Sequence, residues 1–413
     1  MILEPGEQLR ASMSFAPDAP IIAGRLGLAR TGVIFEYDAD FVRSPLVLHP
    51  LIPKSAEIVF AKNPRAFEGL PGVFADSLPD AWGRALVRRQ AEQRGVAFAE
   101  MTALDRLAWV GSTGAGALTY RPEFPQAPVT AMELESLAAD ALAFLDGNEA
   151  VDVEDLAKLG ASLGGARPKI SVAMNERGAI VPPAPSLPDG FEAWLVKFRT
   201  SADPKNIGAI EAAYADMARA AGLKVAATRL IPAKSGPGFF ATKRFDRKPD
   251  GSRLHLVSAA AMLEADWELP SEYETLLKLT RLVTKDQQSV ERVFRRAVFN
   301  VLAKNGDDHL KQHAFLMDER GAWIEAPSFD LTFSAGPGGE HYLSVGGHGK
   351  DIGLEDLVRL GAQELIDKRR VLEIVDQTQT AVSAFANYAK PYAIDAATVR
   401  SIRRICNENL SKA

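Results

Sequence analysis

Asp307, Asp308, His309, Lys311, Gln312 and His313 fall within seven consecutive positions of this 413-residue chain, in the stretch NGDDHLKQHAFL. A further carboxylate, Asp330, follows in SFDLTF. Two acidic points with an amide between them suit a site for Mg2+ and a phosphate chain. One carboxylate can take a proton from an attacking hydroxyl while the other holds metal. The plain alternative for an acid-rich run is a solvated loop. Two features argue against it. The run leads directly into apolar Phe315, Leu316 and Met317. Asp330 stands among Phe329, Leu331 and Phe333, where a carboxylate is costly unless paired or metal-bound. A second chemistry uses the same residues. If the run were helical, His309 and His313 would share one face beside Asp307 for zinc or manganese, as in a metal-dependent hydrolase. The flanking residues read as loop then strand, which weighs against that arrangement.

The elements that must position these groups can be read around them. Phe315–Met317 reads as a short strand, Trp323 and Ile324 as its partner, and Asp318–Gly321 as the turn. The acidic groups then sit at the two ends of a hairpin. Upstream, SLGGARPK (Ser162 to Lys169) enters the apolar alternation Ile170, Val172, Met174. A small glycine-containing loop of this kind can approach a phosphate through backbone N–H groups, with Arg167 and Lys169 adding positive charge. It is not a P-loop, which needs Gly-Lys-Ser/Thr opening a helix. Its alternative is a hairpin with basic residues on the surface. In the next strand Trp194, Val196 and Phe198 alternate on one face and Lys197 shares the other with Leu195. The helix expected over Ile210–Ala221 carries Glu211. A strand lysine paired with a helix glutamate is the protein-kinase arrangement; a lysine snorkelling from an edge strand is the alternative. A later strand ends in Lys243, Arg244, Phe245 and Asp246, where Phe245 suits stacking near adenine and Asp246 suits a ribose hydroxyl.

The remaining chain divides by element type. Residues 20–60 read as short strands. Ser77 is expected to cap a helix running through Arg89. GSTGAGALTY reads as a turn into a strand, 121–129 as a linker and Glu133–Leu145 as an amphipathic helix. From Ser258 onward the chain reads as mostly helical, with one long helix over Gln363–Tyr388 and a last one over Ala396–Asn409. Strands first and helices second predict an α+β fold with a cleft between two lobes. Hydrophobic residues make up 47% and charged ones 24% of the chain, ordinary values for a globular protein. A net charge of −5 gives no support for autonomous nucleic-acid binding. The single cysteine, Cys406, excludes an intrachain disulfide and a multi-cysteine metal site, and fits a reducing cytoplasm. No apolar signal core opens the chain, and no run of about 18 apolar residues suits a membrane span.

Taken together and in order, FADSLPDAWG, GSTGAGAL, SLGGARPK, WLVKF, KRFDR, NGDDHLKQHAFL and SFDLTF resemble the HipA family of serine/threonine kinases, the toxins of type II toxin–antitoxin pairs. The resemblance runs over essentially the whole chain. It implies a protein-kinase-like two-lobed α+β fold, with an N-terminal subdomain over 1–125, a kinase N-lobe over 126–250 and a helical catalytic lobe over 251–413. It implies ATP and Mg2+ as cofactors, a small HipB-like antitoxin as partner, and DNA reached mainly through that antitoxin. Residue by residue, it makes Asp307 the catalytic base and Asp330 and Gln312 the Mg2+ ligands. Lys197 would hold ATP phosphates. The phosphate loop falls on Leu163, Gly164, Gly165, Ala166, Arg167, Pro168 and Lys169, and the autophosphorylated serine that ejects it on Ser162. Hinge contacts fall on Lys243, Phe245 and Asp246, and further nucleotide contacts on His309 and Lys311. The family's substrates are aminoacyl-tRNA synthetases, typically the glutamyl enzyme, whose phosphorylation stalls translation and produces persistence. One position departs from the pattern. The family carries Asn where this chain has Gln312, which moves the amide oxygen by over an ångström in a site that needs near-octahedral geometry at about 2.1 Å. This motivates a second reading, a degenerate kinase that acts by binding its antitoxin.

Overall fold

The computed structural model describes every residue except 1, 5, 31, 53, 56, 125–128, 130, 131, 161–164, 185, 235, 412 and 413. The chain forms two compact units. One comprises Met1–Pro204, Ala241–Asp266 and Leu316–Ala322; the other comprises Lys205–Phe240, Trp267–Phe315 and Trp323–Ala413.

In the first unit, β1 (Leu9–Met13), β2 (Ile21–Ala29), β3 (Gly32–Tyr37), β4 (Val59–Phe60) and β5 (Leu118–Arg121) form a sheet in the order β4-β3-β2-β1-β5. Its buried face carries Phe35, which meets Tyr37 edge-on at 4.8 Å and Phe74 at 4.6 Å. Burying an aromatic side chain stabilises by about 1.5–3 kcal/mol, so this cluster fixes which face turns inward. The helix expected from Ser77 starts later, at Ala81–Gln93, with Asp80 at its N-cap position. The cause is local: Leu78 precedes Pro79, which disfavours helical backbone at Leu78. Ser77 Oγ instead accepts from the buried Tyr120 hydroxyl at 2.7 Å.

A second sheet in this unit brings together β6 (Lys169–Asn175), β7 (Ile180–Val181), β8 (Phe191–Lys197) and β10 (Phe239–Lys243), in the order β7-β6-β8-β10. As the alternation predicts, Trp194, Val196 and Phe198 are buried. The antiparallel register sets Lys169 opposite Lys197. β11 (His255–Ser258) also belongs to this unit.

The second unit holds β9 (Thr228–Ile231), the first residues of β10, and most of the helices: Ile207–Ala220, Tyr273–Thr284, Gln287–Leu302, Leu354–Gln363, Lys368–Ser383 and Ala396–Leu410. Tyr214, Phe299 and Phe385 meet edge-on at its centre, and the Tyr214 hydroxyl donates to Ala303 O at 2.8 Å. β12 (Ser271–Glu272) pairs in parallel with β15 (Leu343–Ser344). The single long helix expected over Gln363–Tyr388 is interrupted. Leu365 adopts φ 58, and Asp367 restarts the helix by accepting from Arg369 N. No helix among the described residues is long and apolar enough to cross a membrane.

Candidate functional site

The hairpin read from the sequence is present. β13 (Ala314–Met317) and β14 (Trp323–Glu325) are joined by a turn in which Asp318 Oδ1 accepts from Arg320 N and Ala322 N. Ala326 N donates to Ala314 O at 2.8 Å, which closes the open end. Just before β13 the chain makes a single 3-10 turn, Leu310–Gln312. Just after β14 it reaches Asp330. The helix Gln287–Leu302 braces both ends: Arg292 pairs with Glu325 at 2.5 Å, and Arg296 donates to Ala326 O at 2.7 Å and approaches His313 Nδ1 at 3.5 Å. Burial lowers Arg296 to about 10, partly offset by Glu325.

This frame brings Gln312 and Asp330 together. Gln312 Nε2 donates to Asp330 Oδ2 at 2.9 Å. Asp330 sits at φ 54, a left-handed backbone that an aspartate adopts at a cost. Oxygen donors of this kind, one carboxylate and one amide, fit Mg2+, which binds through one or two carboxylates plus water and phosphate oxygens. Asp307 lies on the same loop with its side chain 52% exposed, 3.8 Å from His309 Nε2. Its carboxylate is therefore open to an incoming hydroxyl. His309 is buried between rings, 4.8 Å from Trp267 and 5.5 Å from Tyr342. Lys311 Nζ lies 5.3 Å over Trp267. His309 thus buttresses the loop from inside.

The paired-imidazole arrangement of a metal hydrolase is not formed. His309 and His313 flank a 3-10 turn instead of lying on one helical face. His313 is buried against Arg296, its Nε2 lies 3.3 Å from Asp308 O, and burial followed by Arg296 holds its pKa well below the usual imidazole range. Among the described residues no group of three His, Cys, Asp or Glu side chains is placed to hold a metal ion.

Asp308 departs from the solvated-loop alternative for the acidic run. It is completely buried. Tyr273 OH donates to it at 2.6 Å, His341 Nδ1 lies at 3.0 Å, and the backbone N–H groups of Tyr342 and Leu343 donate at 2.9 and 3.3 Å. Asn300 Nδ2 in turn donates to Tyr273 OH at 3.0 Å. Composition gave no sign of which aspartate would be buried. The available signal was His341, in a glycine-rich segment that also holds His348.

In the first unit, Ser162, Leu163 and Gly164 lie outside the described residues. Gly165 has φ +100, a backbone conformation that favours glycine, and it lies close to Lys169 Nζ. Gly165 N donates to Asp80 Oδ2 at 2.7 Å, a contact that the sequence did not suggest. Ala166 is exposed and Pro168 buried; Arg167 pairs with Asp203 at 3.1 Å. Lys169 and Lys197, opposed in register, share one face of the sheet.

Lys243 pairs with Glu192 at 2.5 Å. Phe245 is half-buried. Asp246 is buried, with Arg244 donating to both oxygens, Arg247 to Oδ2 and Gly116 N to Oδ2. Burial opposes its charge, but the two guanidiniums and Gly116 N–H hold its pKa well below the usual carboxylate range. Its oxygens are engaged within the protein. Glu211 is buried on the helix Ile207–Ala220.

Residues 20–121 match the HipA N-terminal domain and residues 161–385 the HipA-like C-terminal domain. A search of curated proteins finds no match. Among solved structures, the chain is similar to HipA of Shewanella oneidensis MR-1, solved in a complex with HipB and its operator DNA. The TM-score is 0.71 at 16% identity, covering 98% of this chain and 96% of that one. The Helicobacter pylori proinflammatory kinase CtkA also aligns, with a TM-score of 0.40 at 17% identity over 60% of this chain and 90% of that one. The matches bear out the HipA-type α+β fold expected from the motifs.

Proposed function

We propose, from the premise that this chain belongs to the HipA family, that it is a serine/threonine protein kinase acting as the toxin of a type II toxin–antitoxin pair. One observation carries the reading. A half-exposed carboxylate, Asp307, stands on the loop that also presents Gln312 to Asp330. Proton acceptor and metal-binding groups are thereby held on one rigid hairpin frame.

Asp307 orients the acceptor hydroxyl and takes its proton. Asp330 and Gln312 would hold Mg2+, which neutralises charge on the transferring phosphoryl group when bound. Lys197 and Lys169, with the N–H groups of the 163–169 loop, would hold ATP phosphates. His309 and Lys311 contribute on the nucleotide side of the same loop. At the hinge we assign recognition to Phe245 and to the backbone at Lys243. Asp246 supports that segment, because its oxygens already serve Arg244, Arg247 and Gly116. Ser162 is the proposed autophosphorylation site.

The partner we propose is a HipB-like antitoxin, by analogy with the Shewanella complex, with DNA reached through it. The proposed acceptor is an aminoacyl-tRNA synthetase, the glutamyl enzyme first, in the cytoplasm, with arrested translation and persistence as the consequence. A second reading rests on the Gln312–Asp330 hydrogen bond: an amide that donates to the metal-binding carboxylate suits a kinase disabled at its metal that acts by binding the antitoxin.

Purified protein incubated with radiolabelled ATP, Mg2+ and glutamyl-tRNA synthetase separates these. Label on the synthetase or on Ser162 that is lost in Asp307→Gln supports the kinase. ATP binding without label supports the disabled form. Neither binding nor label would overturn both.

A further inference from the structure

We infer that Asp308 is a positioning residue for phosphotransfer: it ties the segment His341–Leu343 to the catalytic loop and thereby fixes the direction of Asp307 and the seat of Tyr342. The inference rests on the kinase reading above and adds a residue that reading does not use.

Three observations support it. The first is saturation. A carboxylate with no solvent exposure accepts from Tyr273 OH and from the backbone N–H groups of Tyr342 and Leu343, with His341 Nδ1 at hydrogen-bond distance. Four donors on two oxygens leave it one orientation. Such an acceptor cannot be replaced by water, since the pocket is closed.

The second is what the donors belong to. Tyr342 and Leu343 follow the glycine-rich run 336–339, whose Gly339 O accepts from Lys304 Nζ at 2.9 Å. Leu343 begins β15, which pairs with Ser271 and Glu272. His341 N donates to Gly349 O at 2.8 Å. Ser271 N donates to Tyr342 O at 2.9 Å, and Asp308 adds to this pairing the bonds that tie the segment directly to the loop carrying Asp307.

The third is what the tie delivers. Tyr342 packs its ring edge-on against His309, which lies beside Asp307. Burial raises the Tyr342 phenol's pKa, and the negative charges of Asp307 and Glu268 raise it further, so the phenol is close enough to feel the base. In many kinases a phosphorylated residue must order the segment after the metal-binding aspartate. Here an internal carboxylate, Asp308, bonds to a segment that follows Asp330 in the chain.

The test compares full-length wild type, Asp308→Ala, Asp308→Asn and His341→Ala. Two quantities are read: hydrogen exchange of the amides at 342–345, and kcat and KM for ATP from ADP release with Mg·ATP and glutamyl-tRNA synthetase. Asp308→Ala is expected to lose at least tenfold in exchange protection and at least tenfold in kcat, with KM within about threefold. Asp308→Asn keeps one acceptor oxygen for the two backbone donors and should recover most of both. His341→Ala, a milder change, should move both in the same direction, and it carries the test if Asp308→Ala does not fold. Protection lost with kcat unchanged would leave a structural role only and overturn the inference. So would kcat lost with protection unchanged. If wild type itself releases no ADP, the kinase reading fails and the positioning role with it, while exchange still decides whether Asp308 holds the segment.

Discussion

Gln312→Asn tests the metal site through two opposite effects. Gln312 Nε2 donates to Asp330 Oδ2 at 2.9 Å. Removing one methylene withdraws the amide by about 1.5 Å, a carbon–carbon bond length, to about 4.4 Å, beyond hydrogen-bond reach. A hydrogen bond to a charged group contributes about 1.5–3 kcal/mol when buried. Both residues are only partly buried, so solvent reduces the loss to about 1 kcal/mol. That corresponds to roughly 2–4 °C in the melting temperature of a unit of this size.

With Mg2+ and nucleotide present the sign should reverse. In the wild type the Gln312 amide, held through Nε2 by Asp330, would have to reorient for its oxygen to serve Mg2+ at ideal geometry. The shorter asparagine has no such bond to break. The Mg2+ concentration for half-maximal phosphotransfer is expected to fall by about tenfold, the low end of what a misplaced supporting group costs a metal site. Differential scanning fluorimetry without metal, and phosphotransfer across a Mg2+ series, read the two effects separately. If the variant melts with the wild type and needs the same Mg2+, Gln312 neither supports Asp330 nor serves the metal, and the assignment is refuted.

Three further outcomes follow from named contacts. Asp307→Asn should reduce phosphotransfer by about 10²–10⁴-fold, the usual contribution of a general base, with ATP affinity retained by equilibrium binding; a loss of ATP affinity in parallel would make Asp307 a nucleotide ligand instead. Asp246→Ala leaves Arg244 and Arg247 buried without their carboxylate and should destabilise by about 3–5 kcal/mol in urea unfolding; an effect under 1 kcal/mol would contradict the buried pairing. Stability should also fall on mild acidification. Burial lowers His49 to about 3 and His255 to about 4, so both are neutral in the folded chain while the unfolded chain takes up protons below about pH 6.5. Their contribution is complete above pH 6.5 and is lost as pH falls toward 4, at up to about 1.4 kcal/mol per pH unit for each imidazole. A flat stability profile from pH 7 to 5 would mean that these rings are not buried neutral.

The hairpin that presents Asp307, Gln312 and Asp330 was legible because its signals are local. Apolar Phe315–Met317, the Asp-containing turn and Trp323 specify the pairing within a dozen or so residues, and Asp318 closes the turn with its own side chain. The errors arose where distant groups decide. The apolar period runs unbroken through Leu365, yet Leu365 turns to φ 58. No pattern along one helix shows that the chain must reverse there. Asp80 makes no cap bond to its own helix, and its carboxylate goes to Gly165 N; that partner is far away in the chain and invisible to a capping rule.

Asp307 and Asp308 show why such a site is only half readable. They are identical residues at consecutive positions, and composition cannot rank them. Tyr273, His341 and two backbone amides rank them, by giving one carboxylate a closed set of donors. Once Asp308 is drawn fully inside, its neighbour on this loop is left outside, with its side chain 52% exposed. The direction of the proposed catalytic base is therefore set by the residue after it. A substitution at Asp308 should act on the chemistry without touching any reacting atom. That is also why exchange at 342–345 and kcat should fall together: the same four bonds hold the segment and aim the loop.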